Sequence, residues 1–269
     1  MYYETFFELS DQGKLAGILH LPPPSMRPCP IVIYCPGKNG ERYEVHRLAV
    51  KFARQLAELG IAFLRFDYYG MGLSDGEYHE MTTSTKVSNI KKAFQYIRLQ
   101  PEILPDEVAY LGFSDGARIA LMAALETGVD RIALWSPLFY EFAGNHPNNK
   151  PPRFWRHPIY PRMMVMPWAG LWVGMNFYYD LKTINIEQKI NAYQGESLIV
   201  YGDDDPLIAE EFVHLKTEAC HLYRGDDAHQ VYKVAGAGHL FTSRALEDRL
   251  MGYTADWLCK KFALRTNEG

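Results

Sequence analysis

Gly112-Phe113-Ser114-Asp115-Gly116 sets a serine between two glycines, each two positions away. A serine hydroxyl is a weak nucleophile until a base takes its proton, so the pentapeptide gains meaning only from its surroundings. A G-x-S-x-G string alone is short enough to arise by chance. Here the apolar run VAYLGF precedes it and ARIALMAALE follows it, which predicts a strand, a sharp turn and a helix. Such a turn lifts the serine above the end of a sheet, and the helix N-terminus favours negative charge developing beside it. Ser114 is therefore the expected nucleophile, weighed against an ordinary Gly-Ser turn.

The base must be a histidine, and the chain has 9 of them. His239 ends the glycine-rich stretch Ala235-Gly236-Ala237-Gly238-His239, just after the strand-like QVYKV. That is where ligands gather in open α/β sheets, at a strand's C-terminal end. His146 and His157 fall in a Pro-rich stretch, and His214, His221 and His229 in polar stretches without a comparable motif. A carboxylate must then fix the imidazole tautomer. Asp203, Asp204 and Asp205 follow the strand-like SLIVYG, and any of the three fits. A solvated turn is the alternative; without further clustered oxygen ligands no metal is expected.

Acyl chemistry also needs donors for an oxyanion. After PIVIY comes Cys35-Pro36-Gly37-Lys38-Asn39-Gly40, a loop free to turn its amides inward. The backbone N–H groups of Lys38 and Asp115 are the expected oxyanion hole. The Asp115 carboxylate would oppose that charge if it faced the same way. It is expected to point away, paired with Lys38 or a cationic substrate group, or solvated at the helix start. Gly70-Met71-Gly72-Leu73-Ser74-Asp75 suggests a dinucleotide loop, but it lacks the third glycine and opens no helix, so nucleotide binding is rejected.

The elements that must hold these groups alternate. TFFELS and LAGILHLP, around Asp11-Gln12-Gly13, predict an N-terminal hairpin. PIVIYCPG, IAFLRFDYYG, VAYLGFS, RIALWSP, SLIVYG and QVYKV read as buried strands. Between them HRLAVKFARQLAELG, Thr83 to Leu99, ARIALMAALETG and the closing SRALEDRLMGYTADWLCKKF have helical spacing. Strands alternating with helices imply a mostly parallel sheet, so the fold class is α/β.

The alternation breaks between Pro137 and Gln194, rich in Pro, aromatics and Met. An insertion that long is usually functional. The expected domains are a core of residues 1–136 and 195–269 and an inserted lid of 137–194. Phe154, Trp155, Trp168, Leu171 and Trp172 are candidates for an apolar substrate pocket, against the alternative that they form the lid's own core. Within it, MMVMPWAGLWVGMNFYY is apolar, but Pro167, Gly170, Gly174 and Asn176 interrupt it. A membrane span needs about 20 apolar residues. A buried or substrate-facing segment is expected instead.

With 48% hydrophobic and 22% charged residues the chain can bury a large core. A net charge of −4, without a Lys/Arg block, recruits neither nucleic acid nor anionic membrane. The 4 cysteines show no C-x-x-C spacing and suit reduced thiols in a cytoplasmic protein. The N-terminal MYYETFFELSDQ has no basic n-region followed by an apolar h-region, so no signal peptide is expected. The expected partners are a small-molecule acyl ester or thioester and, at most, a second copy of the chain as a homodimer. No cofactor is expected.

The order Ser…Asp…His, with FDYYGMGLSDG at Phe66–Gly76, resembles the α/β-hydrolase superfamily over nearly the whole chain. The second stretch is similar to the F-D-x-x-G-x-G-x-S-x-G signature of single-domain serine esterases. The cinnamoyl/feruloyl esterase-like branch is the nearest group, with its modest lid before the strand bearing the acid. This resemblance implies an α/β-hydrolase fold, a serine esterase activity and Asp205 as the acid, third after the glycine. The sequence departs from the family with Pro36-Gly37-Lys38 in place of His-Gly and with an acidic residue after the serine. An acyl-thioesterase or acyltransferase on the same triad is the alternative, and a non-catalytic binding protein of this fold the alternative of another class.

Overall fold

The computed structural model describes residues 2–140, 153–215 and 220–264. Among them an eight-stranded sheet runs in the order β1-β2-β4-β3-β5-β6-β10-β11. Strand β1 (Tyr3–Asp11) and β2 (Gly13–Leu21) form the expected antiparallel hairpin. Strand β2 pairs antiparallel with β4 (Ala62–Phe66). From β4 onward through β3 (Cys29–Cys35), β5 (Ile103–Phe113), β6 (Arg131–Trp135), β10 (Glu196–Gly202) and β11 (His229–Val234) every pairing is parallel.

The sheet is buried on both faces, which is why its central strands lack a polar face. In β3 every residue is buried. Ile31, Ile33 and Cys35 join one apolar cluster with α2 (Thr83–Ile97) and α3 (Gly116–Thr127), through Val87, Ile90 and Ile119. Val32 and Tyr34 join the other, with Phe52 of α1 (Leu48–Glu58) and Leu250 and Leu258 of α7 (Arg244–Lys261). Helix α1 stops ahead of Gly60, which takes φ 88, a conformation open to glycine.

The segment between β6 and β10 holds more structure than its composition predicted. Its described part contains a small sheet of β7 (Trp155–Arg156), β8 (Met164–Trp168) and β9 (Leu171–Gly174), then α4 (Met175–Lys182) and α5 (Ile186–Ala192). Residues 141–152 of the expected lid lie outside the described residues. The apolar run is a hairpin that leads into α4 rather than one continuous helix. Ala169 and Gly170 make its turn at φ 49 and 81, pairing Trp168 with Leu171. Among the described residues no helix is long and apolar enough to cross a membrane. Among the contacts that seat this segment on the core, the His79 and His157 rings meet tilted at 4.8 Å, and Ser84 N–H donates to Asp180 at 2.8 Å.

The FDYYGMGLSDG stretch is a knot of hydrogen bonds between side chains and backbone. Buried Asp67 accepts from the amides of Arg42 (2.7 Å) and Leu73 (2.9 Å) and pairs with the Arg42 guanidinium. Ser74 donates to the Asp67 carbonyl at 2.7 Å and accepts from Ala16 N–H at 3.0 Å. A Cβ on Gly72 would lie 2.2 Å from the Asp67 carboxylate, so only glycine fits there.

Candidate active site

Ser114 stands at the end of β5 with φ 56, the left-handed region that non-glycine residues seldom occupy. Its amide donates to the Trp135 carbonyl at the end of β6, 2.9 Å away. Two glycines make room for so sharp a turn. A Cβ on Gly112 would sit 2.4 Å from the Gly116 carbonyl, and one on Gly116 would sit 2.0 Å from that of Cys35.

His239 hangs from the loop after β11. Its Nε2 lies 2.9 Å from Ser114 Oγ and its Nδ1 2.8 Å from Asp205 Oδ2. An imidazole that donates from Nδ1 to the carboxylate keeps Nε2 free to accept the serine hydroxyl. Phe113 stacks on the His239 ring at 5.4 Å and limits its tilt. Asp205 is the N-cap of α6 (Pro206–His214): Oδ1 accepts from Leu207 N–H (3.0 Å) and Ile208 N–H (3.2 Å), leaving Oδ2 for His239. Burial alone would raise its carboxyl; the bond from His239, the imidazole's charge and the Ile208 amide outweigh burial and hold it below the ordinary carboxylate range. Of the other two acids, Asp203 accepts from Gly236 N–H at 2.7 Å and so braces the loop bearing His239, while Asp204 is exposed.

The Cys35–Gly40 loop passes beside the serine: a Cβ on Gly37 would lie 3.6 Å from Ser114 Cβ. Lys38 and Ser114 line one cavity of about 390 Å³, with His239, Phe113, Leu138 and Trp168 among its other walls. That size suits a small organic ligand. The Lys38 ammonium is buried over Trp168, 4.3 Å from the ring centroid, and over Phe177 at 4.9 Å. Glu44, Glu210 and Glu211 also line the cavity. Burial pushes the Glu44 carboxyl up, against the pull of its Tyr34, Gly37 and Val45 donors. Among the described residues no group of three or more His, Cys, Asp or Glu is placed to hold a metal ion.

The structure departs from the sequence reading at two places. Of the five aromatic and aliphatic candidates only Trp168 lines the cavity. Trp155 and Trp172 pack edge to face at 6.2 Å, Phe154 packs on Tyr178 at 6.1 Å, and Leu171 faces outward. Trp168 and Leu171 are paired across the hairpin, yet only Trp168 reaches the cavity beside Ser114. The Asp115 carboxylate pairs with Lys86 (2.8 Å) and with Arg118, two cations that the sequence reading did not name. Arg118 follows Asp115 by three residues on α3, a spacing that brings side chains together and was legible. Lys86 carried no such signal.

With this geometry in view, the family model described as serine aminopeptidase, S33 (Hydrolase_4) matches residues 27–167, just over half of the chain. The chain belongs to this family. The likenesses of this S33 member to solved structures are ones of fold. Est1E from Butyrivibrio proteoclasticus, solved with ferulic acid bound, superposes with a TM-score of 0.79 at 22% identity, covering 96% of this chain and 99% of that one. The dienelactone hydrolase from Anabaena variabilis superposes with a TM-score of 0.66 at 16% identity, covering 98% and 99%. Both are α/β-hydrolase folds with a mostly parallel sheet, as this S33 member is. In sequence, the esterase FrsA of Yersinia enterocolitica is 34% identical over 118 residues, 44% of this chain and 27% of that protein. FrsA of Yersinia pestis is 31% identical over the same length. The chain thus spans about a quarter of the curated relatives it matches.

Proposed function

We propose that the protein is a serine hydrolase that cleaves a carboxylic ester through an acyl-Ser114 intermediate. The observation that carries this reading is the relay from Ser114 Oγ to His239 Nε2 (2.9 Å) and from His239 Nδ1 to Asp205 (2.8 Å), opening on an apolar cavity. Ser114 Oγ attacks the ester carbonyl while its proton passes to His239 Nε2. Asp205 holds the imidazole in place and stabilises its positive charge. The tetrahedral oxyanion accepts hydrogen bonds from the amides of Lys38 and Asp115, one such donor being worth roughly 3–4 kcal/mol. Collapse expels the alcohol, which takes the proton from His239. Water, deprotonated by the same imidazole, then releases the acid and restores Ser114.

The FrsA relatives, named esterases, favour an ester as the scissile group. Residues 137–194 serve as the lid in this reading, with Trp168 as the part that closes on substrate. The test is labelling of the folded protein with a fluorophosphonate, with Ser114→Ala as control. The proposal requires stoichiometric labelling lost in the variant; an unlabelled wild type ends it. A panel of p-nitrophenyl esters, acyl-CoA thioesters and aminoacyl p-nitroanilides then ranks the scissile bond. Faster turnover of thioester or anilide would replace the ester assignment, and acyl transfer to an added amine or alcohol ahead of water would make the protein an acyltransferase.

A further inference from the structure

Between the loop at Cys35–Gly40 and helix α1 the backbone does something unfavourable three times in four residues. Glu44 takes φ 56 and ψ 174, His46 φ 38 and ψ 33, and Arg47 φ 63 and ψ 30. The first is a region that glycine alone adopts freely, and the others are left-handed. None of the three is glycine, so surrounding contacts must hold them there.

Those contacts lead in two directions. The buried Glu44 carboxylate accepts from Gly37 N–H at 3.1 Å, from the Tyr34 hydroxyl at 2.8 Å and from Val45 N–H at 3.3 Å. It fills the space beneath the Lys38 turn so closely that a Cβ on Gly40 would lie 2.1 Å from it. Two residues on, His46 Nε2 donates to the carbonyl of Leu240, directly after His239, at 2.7 Å. The other ring nitrogen meets Glu247 at 2.6 Å, and Glu247 is anchored in turn by Lys51 at 2.7 Å.

We propose that Glu44 and His46 are positioning residues: the strained Glu44–Arg47 turn fixes the oxyanion loop against the loop that carries His239. The inference rests on the acyl-serine reading above. The turn does not touch the reacting atoms; it sets the distance between the Lys38 amide on one side and the imidazole on the other. A connection made only for stability needs neither the strained backbone nor one short segment bonded to both loops. The strain is the sign that placement outweighs local backbone preference here.

The test is steady-state hydrolysis of p-nitrophenyl butyrate by wild type, Glu44→Ala, Glu44→Gln and His46→Ala, each normalised to active sites titrated with a fluorophosphonate, with melting temperatures in parallel. Removing an oxyanion donor outright costs about 100–1000-fold in kcat. A displaced donor costs less, so Glu44→Ala is expected to lose about 10–100-fold in kcat with KM within about twofold. Glu44→Gln, whose amide oxygen still accepts from Gly37 and Tyr34, recovers most of that loss. His46→Ala loses about 3–10-fold in kcat and in the rate of fluorophosphonate inactivation, a part of the effect of imidazole misplacement. Wild-type kcat per titrated site in Glu44→Ala, even with a lowered melting temperature, overturns the proposal. Should Glu44→Ala not accumulate as folded protein, His46→Ala decides by the same criterion, its ring being partly exposed. A wild type that does not react with the fluorophosphonate removes the hydrolase reading and this inference with it. A wild type that reacts beside unchanged variants removes the inference alone.

Discussion

Asp115→Ala isolates the charge cluster behind the elbow while leaving the residue-115 amide in place. Lys86, Asp115 and Arg118 are all buried, with side-chain exposures of 0%, 1% and 0%. At 2.8 Å and an effective dielectric of about 20, one ammonium–carboxylate contact is worth roughly 6 kcal/mol before desolvation. Removing the shared carboxylate leaves two cations facing each other in the interior. Arg118 still donates to the Phe139 carbonyl at 3.3 Å. Breaking such a buried pair costs about 3–5 kcal/mol, or about 6–20 °C in melting temperature for a domain near this size. Urea unfolding followed by tryptophan fluorescence reads it directly. Lys86→Met in the Asp115→Ala background withdraws one stranded cation, so the double variant should be more stable than the sum of the two single losses. Asp115→Ala within 1 kcal/mol of wild type, or strict additivity in the double variant, would refute the reasoning.

Gly116→Ala places a Cβ 2.0 Å from the Cys35 carbonyl and 2.6 Å from that of Pro36, backbone atoms that cannot yield cheaply, so fluorophosphonate labelling should vanish. Trp168→Ala removes an apolar wall of the cavity and should raise KM for butyrate or longer esters about 5–30-fold, whereas Trp155→Ala, 46% exposed and outside the cavity, should change it less than twofold. Burial first, and then the Arg65 charge, bring His20 from 6.5 down to about 4. Between those values the unfolded chain binds more protons than the folded one, so stability falls as pH drops from 6.5 to 4, by about 3 kcal/mol. His20→Gln, measured by urea unfolding across that range, should flatten this slope; an unchanged slope would count against it.

Ser114 and His239 were legible because each stands where a strand ends and carries a local mark, paired glycines and a glycine-rich loop; the acidic run left Asp203, Asp204 and Asp205 open, and only the family resemblance singled out Asp205. The alternation of strands and helices was legible for the same reason, since buried parallel strands read as short apolar runs. The pocket was not. MVMPWAGLWVG is apolar on both faces, so no period marks which side faces the serine, and the Ala169-Gly170 turn fixes a register visible only in three dimensions. Lys86 escaped because a lysine on an amphipathic helix ordinarily reads as solvated; its burial depends on how α2 packs against α3. The strain at Glu44, His46 and Arg47 leaves no trace in residue type, as none of the three is a residue that turns usually recruit.

Strands β6 and β10 are neighbours in the sheet, with Trp135 opposite Val200. The chain between them runs out past Ser136 and comes home at α5, where Ile186 and Ile190 are buried in the core. Leu138, Tyr140 and Trp168 of this excursion reach the cavity, whereas Ser114, Asp205 and His239 all come from outside it. Both anchor points are held by the sheet, and lengthening a loop between fixed ends costs only about 0.6 kcal/mol per doubling. The excursion thus shapes what enters the cavity without supplying Ser114, Asp205 or His239. Because its Trp168 and Phe177 also cover the Lys38 ammonium, a change in this segment alters the cavity wall and the surroundings of Lys38 together.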